Sequence, residues 1–177
     1  MHPLIHAVDR LSEWSGRLIA WATLGMVVIT FTVVVLRYGF DLGWIALQES
    51  ALYLHALVFM VGAAYTLRRN GHVRVDIFYQ RLSPRGQAWV DLLGHLLFTL
   101  PLCAFIGWSA GDYVMESWAL REGSREAGGL PWVYLLKTLL LIMPTLLALQ
   151  AVAEILRRVL FLRGRTPEPT PEELGEL

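Results

Sequence analysis

The chain has 177 residues, of which 55% are hydrophobic and only 17% are charged. A soluble domain usually carries about 25% charged residues, so this composition argues against a soluble globular protein. The formal net charge is zero and the chain has one cysteine, Cys103, which excludes an intrachain disulfide. Since that thiol lies within an apolar stretch, we interpret it as an inert membrane-buried side chain.

Four apolar stretches, almost free of charged residues, follow one another along the chain. They comprise residues 18–36, 50–67, 92–111 and about 131–153. A bilayer core is crossed by about 20 residues of helix, and backbone amides within lipid must be bonded inside their own segment. The sequence therefore predicts an all-α integral membrane protein with four transmembrane helices in an up-and-down bundle.

The connection between the second and third stretches has a pattern of its own. Val73, Ile77, Phe78 and Leu82 can share one face of a helix, which predicts a short interfacial helix on the membrane surface. The alternation of Val73, Val75 and Ile77 is also compatible with an extended chain.

Local signals mark the helix that follows. Ser83 followed by Pro84 is typical of an N-cap and a first helical residue, so we expect the third long helix to begin there. Pro101 and Pro144 fall inside the third and fourth spans and should kink them.

Arginine counts predict the orientation of the four spans. The two terminal segments and the connection between the second and third spans carry eleven arginines, whereas the other two connections carry three. Basic residues accumulate on the cytoplasmic side, so both termini are expected in the cytoplasm. The organisation is then a cytoplasmic N-terminal arm (1–17), a four-helix domain (18–163) and a disordered cytoplasmic tail (164–177).

Histidines raise the alternative of a haem-binding redox or anchor subunit. A membrane haem needs two imidazoles at the same depth on facing helices. His55 lies near the outer end of the second span and His95 near the inner end of the third. At 1.5 Å per residue their levels differ by roughly half the membrane, so we predict neither cofactor nor metal.

The acidic residues bear on a second alternative, a self-sufficient proton antiporter. Such a protein needs an acid within a span, but the acids of this chain, including Glu49, Asp112, Glu116 and Glu154, lie at span ends. The middles of the spans are almost entirely apolar. Because a polar solute needs polar groups at the midplane, the bundle is better suited to supporting another membrane protein than to transport by itself.

Lys137 is the one lysine in the chain and lies one to two turns inside the fourth span. One interpretation is that its ammonium group snorkels toward the headgroups. The other is an ion pair with Glu49, Asp112 or a carboxylate of a partner protein. The sequence leaves both open.

Several runs of residues resemble a known family. They are Leu36-Arg37-Tyr38-Gly39-Phe40, Trp44, Gln48-Glu49-Ser50, Gly62-Ala63-Ala64-Tyr65, residues 68–76, Gly128-Gly129-Leu130-Pro131, Lys137 and Leu149-Gln150. In order and spacing, over about residues 10–163, they resemble the small membrane subunit of tripartite ATP-independent periplasmic (TRAP) transporters, the DctQ-like family. Gln48-Glu49 departs from the two acids that many members carry before the second span.

The resemblance implies a scaffold subunit without enzymatic activity. Its partners would be a large DctM-like membrane subunit that holds the substrate and sodium sites, a periplasmic solute-binding protein, and membrane lipid, with no nucleic acid. The solute would be an organic acid, taken up with sodium. By resemblance and position, the candidate subunit-contact residues are Arg37, Trp44, Glu49, His72, Asp76 and Lys137. Arg37 and Glu49 could also pair across the first outer connection.

Overall fold

The computed structural model describes residues 3–73 and 76–165, except for the side chain of Asp76. Every regular element within these residues is a helix. The elements are α1 (Pro3–Gly39), α2 (Ile45–Arg68), α3 (Asp76–Tyr79), α4 (Pro84–Gly94), a π-helical segment (His95–Thr99), α5 (Leu100–Ala119) and α6 (Val133–Leu162). Helices α4 and α5 and the π-helical segment form one continuous helix, so four helices are long and apolar enough to cross a membrane. The predicted fold class is confirmed.

The third long helix begins and changes pitch for local chemical reasons. Ser83 accepts a hydrogen bond from the backbone N–H of Gly86 at 3.3 Å, and Pro84 is the first helical residue, so the predicted N-cap is confirmed. The π-helical segment ends two residues before Pro101, which has no N–H to donate. There the N–H of Leu100 bonds the carbonyl of His95, five residues back rather than four.

Helix α6 lies at the centre of the bundle. It packs against α1, α2, α4, the π-helical segment and α5, and the third long helix joins the bundle chiefly through α6. One third of the most apolar 18-residue stretch of α6 is buried, against 6–11% of the corresponding stretches in the other three long helices. The connection 69–83 is long enough to place α4 beside α6 rather than beside α2.

Helices α1 and α2 form the closest pair in the bundle. A Cβ on Gly16 would lie 2.3 Å from the Tyr65 ring, and one on Gly62 would lie 3.0 Å from Ile19. Glycine at these two positions lets the helix backbones approach until side chains of one helix rest on the backbone of the other.

The connecting and terminal segments carry three further expectations. The helix predicted between the second and third spans is present as the single turn α3, and Val73, Ile77 and Phe78 expose their side chains there. Residues 3–17 of the predicted N-terminal arm are helical and continuous with the first span. Of the tail predicted to be disordered, residues 166–177 lie outside the described residues.

Candidate functional site: polar clusters at the two ends of the bundle

Polar side chains gather at both ends of the bundle. We call the end formed by the starts of α1 and α4 and the ends of α2 and α6 the termini end. The opposite end, formed by the connections 40–44 and 120–132, is the loop end. These two clusters are the candidate functional sites, because the apolar middle of each helix contains little else that can bind or pair.

Gln150 is the centre of the cluster at the termini end. It is fully buried, and its Oε1 accepts a hydrogen bond from Ser12 at 2.7 Å. Its Nε2 lies 3.2 Å from carboxylate oxygens of both Asp9 and Glu154. One amide side chain on α6 thus satisfies three partners on α1 and α6, as a buried polar group requires.

Ion pairs surround this amide. Arg157 bonds Asp9 at 2.8 Å and also pairs with Glu154, which is 5% exposed. Glu13 accepts from Arg68 and from Arg69, the latter at 2.8 Å and 2.9 Å. The start of α1 is therefore held by the end of α6 on one side and the end of α2 on the other.

A third pair brings in the helix after the connection. Arg158, 6% exposed, lies 3.2 Å from Asp91 of α4. Asp91 also accepts from the Tyr79 hydroxyl at 2.8 Å, and Gln87 donates to the Tyr79 carbonyl at 3.2 Å. This joins α3 and α4 to α6, so the termini end ties together all four long helices.

This cluster was not predicted from the sequence, although the spacing of its residues indicates it. Gln150, Glu154, Arg157 and Arg158 are spaced i, i+4, i+7 and i+8, which places them on one face of a helix. Asp9, Ser12 and Glu13 are spaced i, i+3 and i+4 on α1, which also places them on one face. Two polar helix faces that adjoin apolar spans indicate surfaces that pack against each other.

Glu49 is the anchor of the loop end. Its Oε2 accepts from the backbone N–H of Leu130 at 2.6 Å, and its Oε1 accepts from the Ser124 hydroxyl. Both donors belong to the connection 120–132, so a carboxylate on α2 pins that connection across the bundle. Among the described residues no ion pair joins Arg37 to Glu49, because both oxygens of the Glu49 carboxylate accept hydrogen bonds from the connection 120–132.

The glycines of the motif Gly128-Gly129-Leu130-Pro131 fit this arrangement. Gly128 has a φ of +79°, which side-chain-bearing residues rarely adopt. A Cβ on Gly129 would lie 2.4 Å from the Ser124 hydroxyl and 2.9 Å from Glu49. The first glycine makes the turn and the second makes room for the carboxylate.

Lys137 is paired within the chain. Its Nζ contacts Glu122 of the same connection and lies 3.8 Å from the centroid of the Tyr113 ring. Hydrogen bonds from Lys137 and then from Ser117 hold the pKa of Glu122 below its usual value of 4.5. Of the two interpretations, the ion pair is therefore correct, but its partner is neither Glu49 nor Asp112.

The family model for the DctQ component of tripartite ATP-independent periplasmic transporters matches residues 26–161. The chain belongs to this DctQ family. The match begins within α1 and ends one residue before the end of α6, so it includes the loop-end anchor and the whole polar face of α6. The predicted family is confirmed, and the protein is a multi-pass membrane protein and a transporter component rather than an enzyme.

Two curated proteins match parts of this DctQ chain. A "Putative TRAP transporter small permease protein" of Haemophilus influenzae is 31% identical over 81 residues, which cover 46% of this chain and 49% of that protein. A "Transposase for transposon gamma-delta" of Escherichia coli is 38% identical over 61 residues, 34% of this chain and 6% of that protein. The chain thus spans at most about half the length of these relatives. No solved structure matches.

Three of the other residues singled out for contacts in this DctQ chain are exposed. Arg37 lies at the end of α1, Trp44 is 60% exposed before α2, and His72 lies in the connection after α2. The side chain of Asp76, the first residue of α3, lies outside the described set. Arg37 and Trp44 are at the loop end and His72 is at the termini end, so the structure does not bring them into one site.

Neither cluster has the arrangement of a reactive centre. Within residues 3–73 and 76–165, no three His, Cys, Asp or Glu side chains are grouped so as to hold a metal ion. His55 stacks on Phe59, and the Nδ1 of His95 lies 3.3 Å from the Thr99 hydroxyl. What the two clusters can do chemically is fix helices and connections relative to each other.

Proposed function

We propose that this DctQ protein is the static membrane subunit of a TRAP transporter. It supports sodium-coupled uptake of an organic acid by a large DctM-like membrane subunit, to which a periplasmic binding protein delivers the solute. The family match over 26–161 supports the assignment to a TRAP transporter. The observation that carries the static role is that polar contacts tie the helices together at both ends.

Hydroxyl groups within the spans support a structural rather than a transport role. Six of them bond the backbone carbonyl one turn earlier in their own helix, namely Thr23, Thr32, Ser50, Thr66, Thr138 and Thr145. A hydroxyl bonded in this way has its one proton committed to the backbone, so it has no donor left for the carboxylate of a solute. The described part of the helices therefore supplies few of the convergent polar groups that a solute path needs.

A large subunit that moves during transport needs a rigid subunit to move against. At the termini end, buried ion pairs reach Arg157 and Arg158 on α6, and removing one partner of such a pair is costly. At the loop end, Glu49 and Lys137 hold the connection 120–132. A large subunit could then move its transport segment against a fixed frame.

The location follows from the same proposal. We place the protein in the bacterial inner membrane with both termini in the cytoplasm, so that the arginine-rich termini end faces the cytoplasm and the loop end faces the periplasm. On this orientation, Arg37 and Trp44 are available to periplasmic or membrane partners and His72 to a cytoplasmic surface of the large subunit.

The decisive experiment separates this chain from its partners. Proteoliposomes containing the chain alone should take up no organic acid. Those containing the chain and the large subunit, supplied with binding protein, should take it up when sodium is higher outside. Uptake by the chain alone would refute the supporting role, and full uptake by the large subunit without this chain would do the same.

A contact variant tests the surface residues. Trp44→Ala should weaken co-purification of the large subunit or lower uptake, because a large exposed aromatic side chain typically dominates a protein contact. Trp14→Ala, which removes a similarly exposed tryptophan (62%) at the opposite end, is the matched control. Equal behaviour of the two variants would contradict the assignment of Trp44.

A further inference from the structure

A cavity of about 270 Å³ opens at the termini end, between the end of α2, the junction of α4 with the π-helical segment, and α6. Arg68, His72, Asp91, His95 and Arg158 contribute to its lining. The scaffold role does not require such a cavity, since the ion pairs of this end would hold the helices as well without it.

Arg158, which lines the cavity, has an N–H group without a hydrogen-bond partner in the described part of the chain. Its side chain is 8% exposed, and Nη2 lies 3.2 Å from Asp91. Its Nε has no hydrogen-bond partner in the described part of the chain and almost no accessible surface, so the side chain must rotate to present that N–H to a ligand in the cavity. A buried guanidinium N–H without an acceptor is energetically unfavourable, and a planar guanidinium can bind two oxygens of a carboxylate or a phosphate through parallel N–H bonds.

Asp91 and Glu154 lie in the cavity wall, but they repel a bound anion less than two unpaired carboxylates would. Asp91 is already bonded to Arg158 and to the Tyr79 hydroxyl. Glu154 is bonded to Arg157 and Gln150. Their charges are therefore largely balanced by groups on the protein, and the unsatisfied Nε is what remains.

The rim of the cavity is apolar. Val90 and Phe98 line it and are 48% and 72% exposed. Arg158 lies four residues before the end of α6 at Leu162, which is about 6 Å at 1.5 Å per residue. A polar floor near the end of a spanning helix beside exposed apolar side chains matches a phospholipid, with its phosphate at the polar level and its acyl chains along the helices.

We propose that this cavity binds the phosphate group of a membrane glycerophospholipid, with Arg158 as the principal donor and the acyl chains lying against Val90 and Phe98. The site would hold one lipid against the junction of α2, α4 and α6, in addition to the lipid that surrounds any membrane protein. It is independent of the proposed transport role and can be tested on the purified chain.

Two variants and two matched controls test the site. Arg158→Lys keeps a charge for Asp91 but removes Nε, while Arg163→Lys makes the same change at an exposed residue just after α6, outside the cavity lining and outside the ion pairs described above. Gly94→Leu fills the cavity from its wall, because a Cβ on Gly94 meets no atom within 4 Å. Gly111→Leu is equally unhindered but lies on α5 away from the cavity.

Native mass spectrometry of the full chain in detergent, with added phosphatidylglycerol, measures the bound lipid. We expect one lipid per chain, with affinity reduced about tenfold or more in Arg158→Lys and Gly94→Leu and unchanged in the two controls. Inorganic phosphate and glycerophosphate serve as competitors, and neither should displace the lipid at equal concentration.

Three results would overturn the proposal. The first is that no bound lipid remains on the chain after the surrounding lipid has been removed by detergent. The second is equal lipid retention by all four variants, each shown to be monodisperse. The third is displacement by inorganic phosphate as effectively as by phospholipid, which would identify a soluble anion as the ligand. Because Gly94→Leu leaves every ion pair in place, it decides the question even if Arg158→Lys does not fold.

Discussion

Replacing Gln150 by leucine should strongly destabilise the bundle, although the volume of the side chain hardly changes. The amide is fully buried and makes three hydrogen bonds, to Ser12, Asp9 and Glu154. Interhelical hydrogen bonds in membrane proteins average about 0.6 kcal/mol and reach about 1.7 kcal/mol. A buried polar group left without its partner costs about 1–3 kcal/mol, and Ser12 is only 3% exposed.

Together these contributions amount to a loss of about 2–4 kcal/mol in the free energy of unfolding for Gln150→Leu. The assay is denaturant unfolding of the purified chain in detergent, followed by tryptophan fluorescence and circular dichroism. Adding Ser12→Ala to Gln150→Leu should recover part of the loss, because the serine hydroxyl is then no longer buried without an acceptor.

Gln48→Leu is the matched control, since Gln48 is exposed at the start of α2. It should change the free energy of unfolding by less than about 0.5 kcal/mol. If Gln150→Leu were as stable as Gln48→Leu, the polar cluster at the termini end would contribute nothing to holding the helices together. The reasoning for a fixed frame would then fail.

Three further predictions concern the close helix pair and the loop end. Gly16→Ala should cost about 1–3 kcal/mol of unfolding free energy in the same assay, because its Cβ would lie 2.3 Å from the Tyr65 ring. Gly129→Ala should release the connection 120–132, since its Cβ would lie 2.4 Å from the Ser124 hydroxyl, and limited proteolysis there should become several-fold faster. Stability supplied by Glu122, whose pKa is held below its usual 4.5, should be complete above that pH and lost as the pH falls through the lower value; thermal unfolding from about pH 6 to about pH 3 measures this.

Each of these has a control within the chain. Gly25→Ala should be tolerated, because its Cβ would lie 3.6 Å from the nearest atom, on Leu54, and an equal loss in both glycine variants would contradict close packing at Gly16. Gly39→Ala meets no neighbour and should leave proteolysis of 120–132 unchanged. Lys137→Met should flatten the acid dependence, and an unaltered pH profile in that variant would show that the pair with Glu122 is not its source.

Some features of the site could have been inferred from local patterns alone. The N-cap at Ser83 needs only neighbouring residues, and it is found as expected. The polar face formed by Gln150 and Glu154 was visible in the spacing. Its partners were not, because a helix face shows which residues point together and not which helix they meet.

The sequence by itself determined the four spans and the family, because a run of apolar residues as long as a bilayer is thick has no other stable arrangement. It also determined where the third long helix begins, at Ser83-Pro84. Only the tertiary structure decided that α6 is central, that Lys137 pairs with Glu122, and that Glu49 anchors a connection from which it is separated by more than 70 residues. Such contacts depend on the relative rotation and depth of helices, which are set by packing across the whole bundle and leave no mark at short range.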